Sequence, residues 1–186
     1  MENPVGYYYG IKVDNEGNVY AWGKFEDYIR MEGQEFTNSD ASGADIYLVK
    51  LDLDGQLKFI KQFDGKGIVY GWGGMDLTPE NDVVITGSFS DTLNLGTYSL
   101  RSEFEGAWNV FVTKIHSSGN ILWARQYGGP SQSWGRSIAT DSSGNVYLTG
   151  GFNDSLAFDT ISFVHREGIY DLFLTKLDPN GKVVWA

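Results

Sequence analysis

An internal repeat constrains the fold of this chain more than any other feature. Residues 14–20 (DNEGNVY) align with residues 141–147 (DSSGNVY), and the more divergent residues 78–84 (TPENDVV) lie between them. Three further segments keep the same register: residues 45–52, 109–116 and 171–178. Matches at separated positions with one spacing are the signature of stacked supersecondary units. The sequence therefore predicts three copies of one unit of about 63 residues.

Each unit has the local pattern of strands and tight turns. Short runs rich in Val, Ile, Leu and aromatic residues alternate with Asp, Asn and Gly, and no segment keeps a helical period. In the third unit, strands are predicted near residues 137–140, over residues 145–152 and 171–177, and from Lys182 onward. Four antiparallel strands are the content of a β-propeller blade.

The third strand of two units is apolar on both of its faces. Residues 110–112 read VFV and residues 172–174 read LFL, where a half-buried strand would alternate apolar with polar residues. A sheet of this kind must be covered on both faces. Blades stacked around an axis provide that cover, because each sheet packs against two neighbours.

The predicted fold is all-β, with three four-stranded antiparallel blades of a β-propeller over residues 1–65, 66–129 and 130–186. The outer strand of the third blade is truncated at Ala186. Closed propellers have about four to eight blades, so three blades would leave two apolar faces exposed. Two interpretations follow. The chain is a partial propeller from a longer protein that supplies the remaining blades, or it is half of a self-assembled ring of two copies.

Composition excludes several classes of function. The chain has 24 acidic and 14 basic residues and a net charge of −10, which disfavours nucleic acid and anionic membranes as partners. The chain has no cysteine, so disulfides, thiolate metal sites and a thiol nucleophile are excluded. No run approaches the roughly 18 apolar residues of a membrane span, and the first six residues do not read as a signal peptide.

The sequence resembles a known bacterial repeat family. Residues 86–96 (TGSFSDTLNLG), 109–114 (NVFVTK) and 118–129 (SGNILWARQYGG) are similar to the SBBP-type β-propeller repeat, and residues 141–152 and 171–186 match it about as well. The first unit departs most, since it reads AWGKF at residues 21–25. The resemblance implies a secreted or cell-surface protein of a bacterium. It implies no catalytic residue and no particular ligand, because one fold serves many functions.

The acidic turns invite a calcium interpretation, which the spacing disfavours. Residues 52–55 (DLDG), 178–181 (DPNG) and 14–18 (DNEGN) are too short for a calcium loop that ends in a bidentate Glu. His116 and Ser118 replace the acids in the second unit, which a turn tolerates and a repeated metal site would not. We therefore expect hairpin turns, with no metal and no cofactor.

Enzymatic activity also has little support. His116 and His165 lie in different contexts, neither near a serine motif, and both are expected to be solvated. The arginines do not occupy equivalent repeat positions, as a sialidase-like carboxylate cluster would require. The acidic clusters at residues 103–105 and 26–27 are expected to be surface charge.

Aromatic residues before each first strand are the candidate ligand-binding residues: Tyr8, Tyr70, Trp72 and Trp134. First strands line the channel of a propeller, so rings at its mouth could stack on sugars or anchor a protein. The alternative is that these rings pack between blades, with the neighbouring glycines making room for them.

We predict a non-enzymatic binding or scaffold module that uses loops at one end of the propeller. A protein partner should contact residues 26–43, 90–106 and 153–168, whereas a carbohydrate, the alternative ligand, should depend on Trp72 and Trp134. A sialidase-like glycoside hydrolase is the third possibility. The identity of the protein or glycan partner stays open.

Overall fold

The computed structural model describes residues 6–40, 43–67, 69–70, 73–166 and 168–186, and of Tyr70 the backbone alone. Every regular element within these ranges is a β-strand. The all-β prediction is therefore confirmed. No helix in the described ranges is long and apolar enough to cross a membrane.

The described residues form nineteen strands, named here in chain order. The first unit holds β1 Gly6–Val13, β2 Val19–Phe25, β3 Tyr28–Met31, β4 Gln34–Thr37, β5 Asp45–Leu51 and β6 Leu57–Lys66. The second holds β7 Val69–Tyr70, β8 Met75–Leu77, β9 Val83–Phe89, β10 Thr92–Leu95, β11 Tyr98–Arg101, β12 Asn109–Ile115 and β13 Ile121–Tyr127. The third holds β14 Ser133–Thr140, β15 Val146–Phe152, β16 Ser155–Phe158, β17 Ile161–Val164, β18 Asp171–Leu177 and β19 Val183–Trp185.

The strands pair in the same antiparallel order in each unit. The order is β1-β2-β5-β6 in the first unit and β14-β15-β18-β19 in the third. In the second unit β7 and β8 both pair with β9, which is followed by β12 and β13. A two-stranded hairpin is inserted between the second and third strands of every unit: β3–β4, β10–β11 and β16–β17.

Side-chain caps build the turns at one end of the sheets. Asp141 Oδ1 accepts the backbone N–H of Ser143 at 2.9 Å and of Asn145 at 3.0 Å, and Gly144 has a φ of 75°. The same two bonds recur at Asp14, Asp52 and Asp178. The turn interpretation is therefore confirmed, because these carboxylates hold local backbone. We call this the turn end, and the opposite end, where the inserted hairpins leave the sheets, the hairpin end.

Two apolar cores lie between consecutive units. The first joins units one and two and includes Tyr20, Trp22, Ile46, Leu48, Val83 and Ile85. The second joins units two and three and includes Val110, Val112, Ile138, Val146 and Leu148. The second unit is thus covered on both faces, as predicted from its third strand. In the third unit one face is open, because Leu172 is 76% and Leu174 53% exposed.

Candidate functional site

The aromatic residues of the first strands share one register. Tyr7 pairs with Lys24, Tyr70 with Ser88 and Trp134 with Gly151. Each of these three partners lies one residue before the Phe that ends the second strand of its unit. Tyr7 is therefore the counterpart of Trp134. The predicted Tyr8 lies one position further along, beside an irregularity of register between Tyr8 and Gly10.

The predicted site residues differ in accessibility. Tyr8 is 89% exposed. Trp134 is half-buried, its ring lies over Gly151, and it meets the ring of Tyr170 edge-on at 5.5 Å between centroids. Gly151 and Tyr170 both belong to the third unit, so these contacts lie within one unit and do not show the packing between blades of the alternative interpretation. Trp72 and the side chain of Tyr70 lie outside the described residues.

Tyr8 opens onto a cleft of about 360 Å³ at the hairpin end of the first unit. The cleft lies between the start of β1, strand β3 and the side chain of Tyr47 on β5. Its lining is aromatic and aliphatic with one cation: Gly6, Tyr7, Tyr8, Tyr28, Ile29, Arg30, Met31 and Tyr47. We call it the aromatic cleft.

Cations lie over the rings of this cleft. The guanidinium of Arg30 is 4.8 Å from the ring centroid of Tyr28, and its Nε donates to Glu35 at 2.6 Å. The hydrogen bond to Glu35 raises the pKa of Arg30 above its ordinary value. The ammonium of Lys24 lies 4.8 Å from the ring centroid of Tyr7.

The inserted hairpin of the first unit is less covered than its two counterparts. Ile29 and Met31 of β3 are half-buried. Their counterparts in the other two hairpins are fully buried: Leu93 and Leu95 on β10, and Leu156 and Phe158 on β16. Each buried pair shares a core cluster with an aromatic residue of the preceding unit. This residue is Phe63 for the pair on β10 and Tyr127 for the pair on β16. The rings of Tyr127 and Phe158 are 4.7 Å apart.

The same comparison applies to the backbone of the hairpins. Asn94 of β10 pairs with Asp64 of β6, so this hairpin extends the sheet of the first unit. Ala157 of β16 pairs with Gly128, and its N–H donates to the Gly128 carbonyl oxygen at 3.2 Å. Arg30 is the counterpart of both residues. Among the described residues β3 pairs only with β4, so its outer edge is free there.

The sequence singled out Tyr8, and it placed Tyr28, Ile29 and Met31 only within residues 26–43, the loop expected to contact a protein partner. Tyr47 was missed. A signal was present in the inserted segments, where apolar residues recur at alternate positions before a two-residue turn. The first unit is the most divergent of the three, and the aligned segments did not extend into these hairpins.

The remaining candidate residues of the sequence analysis are the two histidines and the acidic clusters. His116 Nδ1 accepts the N–H of Ser118 at 3.2 Å at the turn end. The prediction for His165 is wrong in part, because its side chain is only 15% exposed and its Nδ1 lies 3.2 Å from Asp171. Glu103 and Glu105 are exposed, as expected. In the described part of the chain no three His, Asp or Glu residues gather as metal ligands would.

Comparison with known proteins supports the repeat assignment. Residues 122–150 match the SBBP family, described as a β-propeller repeat, and this stretch runs from β13 into β15. The chain is also 27% identical over 150 residues to an uncharacterized WD repeat-containing protein of Acanthamoeba polyphaga mimivirus. That alignment covers 73% of this chain and 11% of the viral protein. The chain therefore spans about a tenth of the length of this relative.

Proposed function

The chain carries an SBBP-type β-propeller repeat, and from this premise we propose that it is a non-enzymatic protein-interaction scaffold. Each unit serves as one propeller blade, and the aromatic cleft on the first unit binds an extended segment of a partner protein. The observation that carries the proposal is that β3 pairs only with β4 among the described residues. Its counterparts pair with the preceding unit, β10 with β6 and β16 with Gly128.

The chemistry of the aromatic cleft supports a protein ligand. Tyr, Met and Arg are enriched in protein interfaces, and Tyr and Arg are frequent hot spots. Among the described residues, those that line the cleft carry no carboxylate or amide side chain, although sugar sites combine stacking rings with such hydrogen-bonding groups. The outer edge of β3, which no other described strand pairs with, lies beside an apolar cleft, and this is the arrangement that binds peptides by strand addition.

The places where consecutive units pack together, here called junctions, indicate which sequence the bound segment should have. At both junctions the covering strand carries an aromatic residue two positions before a glycine: Phe63 with Gly65, and Tyr127 with Gly129. At the second junction the glycine allows close approach to the hairpin, since a Cβ at Gly129 would clash with the carbonyl oxygen of Ser155 on β16. We therefore expect a strand with an aromatic residue, any residue and then glycine.

A synthetic peptide tests the proposal. A labelled peptide of residues 121–129 (ILWARQYGG) is titrated with the full chain, and fluorescence anisotropy reports binding. We expect saturable binding that weakens roughly tenfold or more when the peptide Tyr is replaced by Ala. The protein variant Ile29→Asp should show the same loss, because it places a charge where the counterparts are buried.

Leu53→Asp is the matched control, since Leu53 is 71% exposed and lies at the turn end. It should bind the peptide as the wild type does. Equal binding by Ile29→Asp, or no binding by the wild type at millimolar peptide, would reject the proposal. Glycan-array signals that depend on Tyr8 and Trp134 would favour the carbohydrate alternative instead.

A further inference from the structure

The two ends of the three-unit stack carry complementary open surfaces. We define the trailing face as the exposed side of the third unit, with Leu172, Leu174 and Trp185. We define the leading face as the exposed side of the first unit, with Ile11, Tyr47 and Gly55. From the comparison of equivalent positions we infer that the trailing face of one copy packs on the leading face of a second copy, as consecutive units pack within the chain.

The trailing face repeats surfaces that are buried inside the stack. Leu172 is 76% exposed, whereas its counterparts Ile46 and Val110 are 1% and 0% exposed. Leu174 is 53% exposed, and its counterparts Leu48 and Val112 are both 0% exposed. In the first two units these positions contact the next unit through the shared cores. The trailing face therefore has the side chains that pack on a following unit at the two internal junctions, but here they are exposed.

The leading face is the other half of the same junction. Ile11 pairs with Ala21 and is 66% exposed. Its counterparts Met75 and Ile138 occupy the same register and are 6% and 7% exposed against the preceding unit. Tyr47 is half-buried, whereas its counterparts are nearly inaccessible: Phe111 at 1% and Phe173 at 5%.

An aromatic–glycine contact makes the match specific. At the first junction a Cβ at Gly119 would lie 3.4 Å from ring carbons of Phe59. At the second a Cβ at Gly181 would lie 2.8 Å from the ring of Trp123. The next ring in this series is Trp185, which is 40% exposed. The first glycine in the series is Gly55, and a Cβ there would meet nothing within 4 Å.

These observations favour a second copy as the occupant because one chain presents both halves of one junction. Contact between unlike faces is heterologous, so it either closes into a ring or continues as a filament. A symmetric contact between two trailing faces would leave both leading faces open.

The test measures the mass of the full chain by size exclusion with light scattering across micromolar concentrations. Wild type is expected at a multiple of its 20.7 kDa. Leu172→Arg and Ile11→Arg each place a charge on one face, at side chains already exposed in the single chain, and each should be monomeric. An equimolar mixture of these two variants should form a 1:1 complex, since one intact trailing face and one intact leading face remain.

Val164→Arg is the matched control. Val164 is 67% exposed, and its counterpart in the second unit is the exposed Arg101. This variant should assemble as wild type does. A wild type that stays monomeric, or a mixture that shows no complex, would overturn the inference, as would loss of assembly in Val164→Arg. Tyr47 belongs to both the aromatic cleft and the leading face, but the two tests use different variants, Ile29→Asp for peptide binding and Ile11→Arg for assembly, so either proposal can fail without the other.

Discussion

The indole Nε1–H of Trp123 donates to the carbonyl oxygen of Pro179 at 3.0 Å, across the junction between the second and third units. The side chain of Arg125 reaches the same turn, where its Nε donates to the carbonyl oxygen of Gly181 at 3.2 Å. One outer strand therefore holds the turn of the next unit by ring packing and by hydrogen bonds. This contact couples the folding of neighbouring units.

Truncation of Trp123 should be costly, and replacement by Phe should be mild. Trp123 is 6% exposed, so Trp123→Ala should lower the free energy of unfolding by about 3–5 kcal/mol. Trp123→Phe keeps a ring and loses one hydrogen bond, worth about 1 kcal/mol, and Phe59 already occupies this position in the first unit. Urea unfolding measures both variants. Equal losses would show that the bond to Pro179, and not packing, dominates.

Substitution of Gly181 tests the other side of this contact. Gly181 has a φ of 78°, and an added Cβ would lie 2.8 Å from the ring of Trp123. Gly181→Ala therefore combines backbone strain with overpacking, and it should cost about 1–3 kcal/mol more than Gly106→Ala. Gly106 has a φ of 74° and nothing within 4 Å of an added Cβ, so that variant reports strain alone. Similar melting temperatures for the two variants would contradict the ring contact.

The strands could be predicted where apolar residues and turns alternate clearly. The segment 171–177 was predicted with the bounds that the structure shows, and 145–152 was predicted one residue longer than Val146–Phe152. The first strand of the third unit was predicted only from residue 137, although it begins at Ser133. Residues 133–136 (SWGR) lack an alternating pattern, and the register shifts between Gly135 and Ser137. Pairing with β15, which the sequence does not display, extends the strand.

The aromatic cleft could be predicted only in part, because it depends on contacts between distant segments. Tyr8 was singled out as an exposed ring near a strand start. Its neighbours Tyr28 and Tyr47 come from a hairpin and from a third strand, and only the sheet order brings them together. The partial exposure of Ile29 and Met31 also cannot be predicted from the sequence of the hairpin alone. It is recognised only when β3 is compared with β10 and β16.

The ion pair between Lys114 and Asp82 should matter more than an exposed pair of shorter distance. The Lys114 Nζ lies 3.2 Å from Asp82, and both side chains are less than a tenth exposed. Lys114→Met leaves a buried unpaired carboxylate and should cost about 3–5 kcal/mol of unfolding free energy. Lys12 lies only 2.9 Å from Asp76, but its side chain is 44% exposed, so Lys12→Met should cost about 1 kcal/mol or less. Equal losses in urea unfolding would show that burial is not decisive.

The turn at Asp141 should make stability sensitive to acid. Hydrogen bonds from the side chain and backbone of Asn145 lower the pKa of Asp141 from 3.8 to about 2. Because the folded pKa lies below the unfolded value, the stabilisation is complete above the unfolded pKa and is lost as pH falls through the folded pKa. The difference in unfolding free energy between wild type and Asp141→Asn should therefore shrink between pH 3.8 and about 2. A difference that stays constant over this window would contradict the prediction.

The carboxylate of Asp45 is fully buried and accepts four hydrogen bonds from described residues at the hairpin end of the first unit. Its Oδ1 accepts from the hydroxyl of Ser39 at 2.9 Å and from the N–H of Gly65 at 2.8 Å. Its Oδ2 accepts from the N–H of Ser39 at 2.8 Å and from Nε2 of Gln62 at 2.6 Å. Asp45 thus ties the loop after β4 to the outer strand β6.

Replacement of Asp45 by Asn should destabilise the chain although the shape hardly changes. In either orientation the amide N–H₂ group faces donors, so at least one N–H that is buried or partly buried loses its acceptor, at a cost of about 1–3 kcal/mol. Asp171 is the counterpart in the third unit, and its side chain is 45% exposed. Asp171→Asn is therefore the matched control and should cost less than about 1 kcal/mol. Thermal and urea unfolding of both variants decide the point, and an equal loss in Asp171→Asn would show that buried acceptors at Asp45 are not what holds this loop.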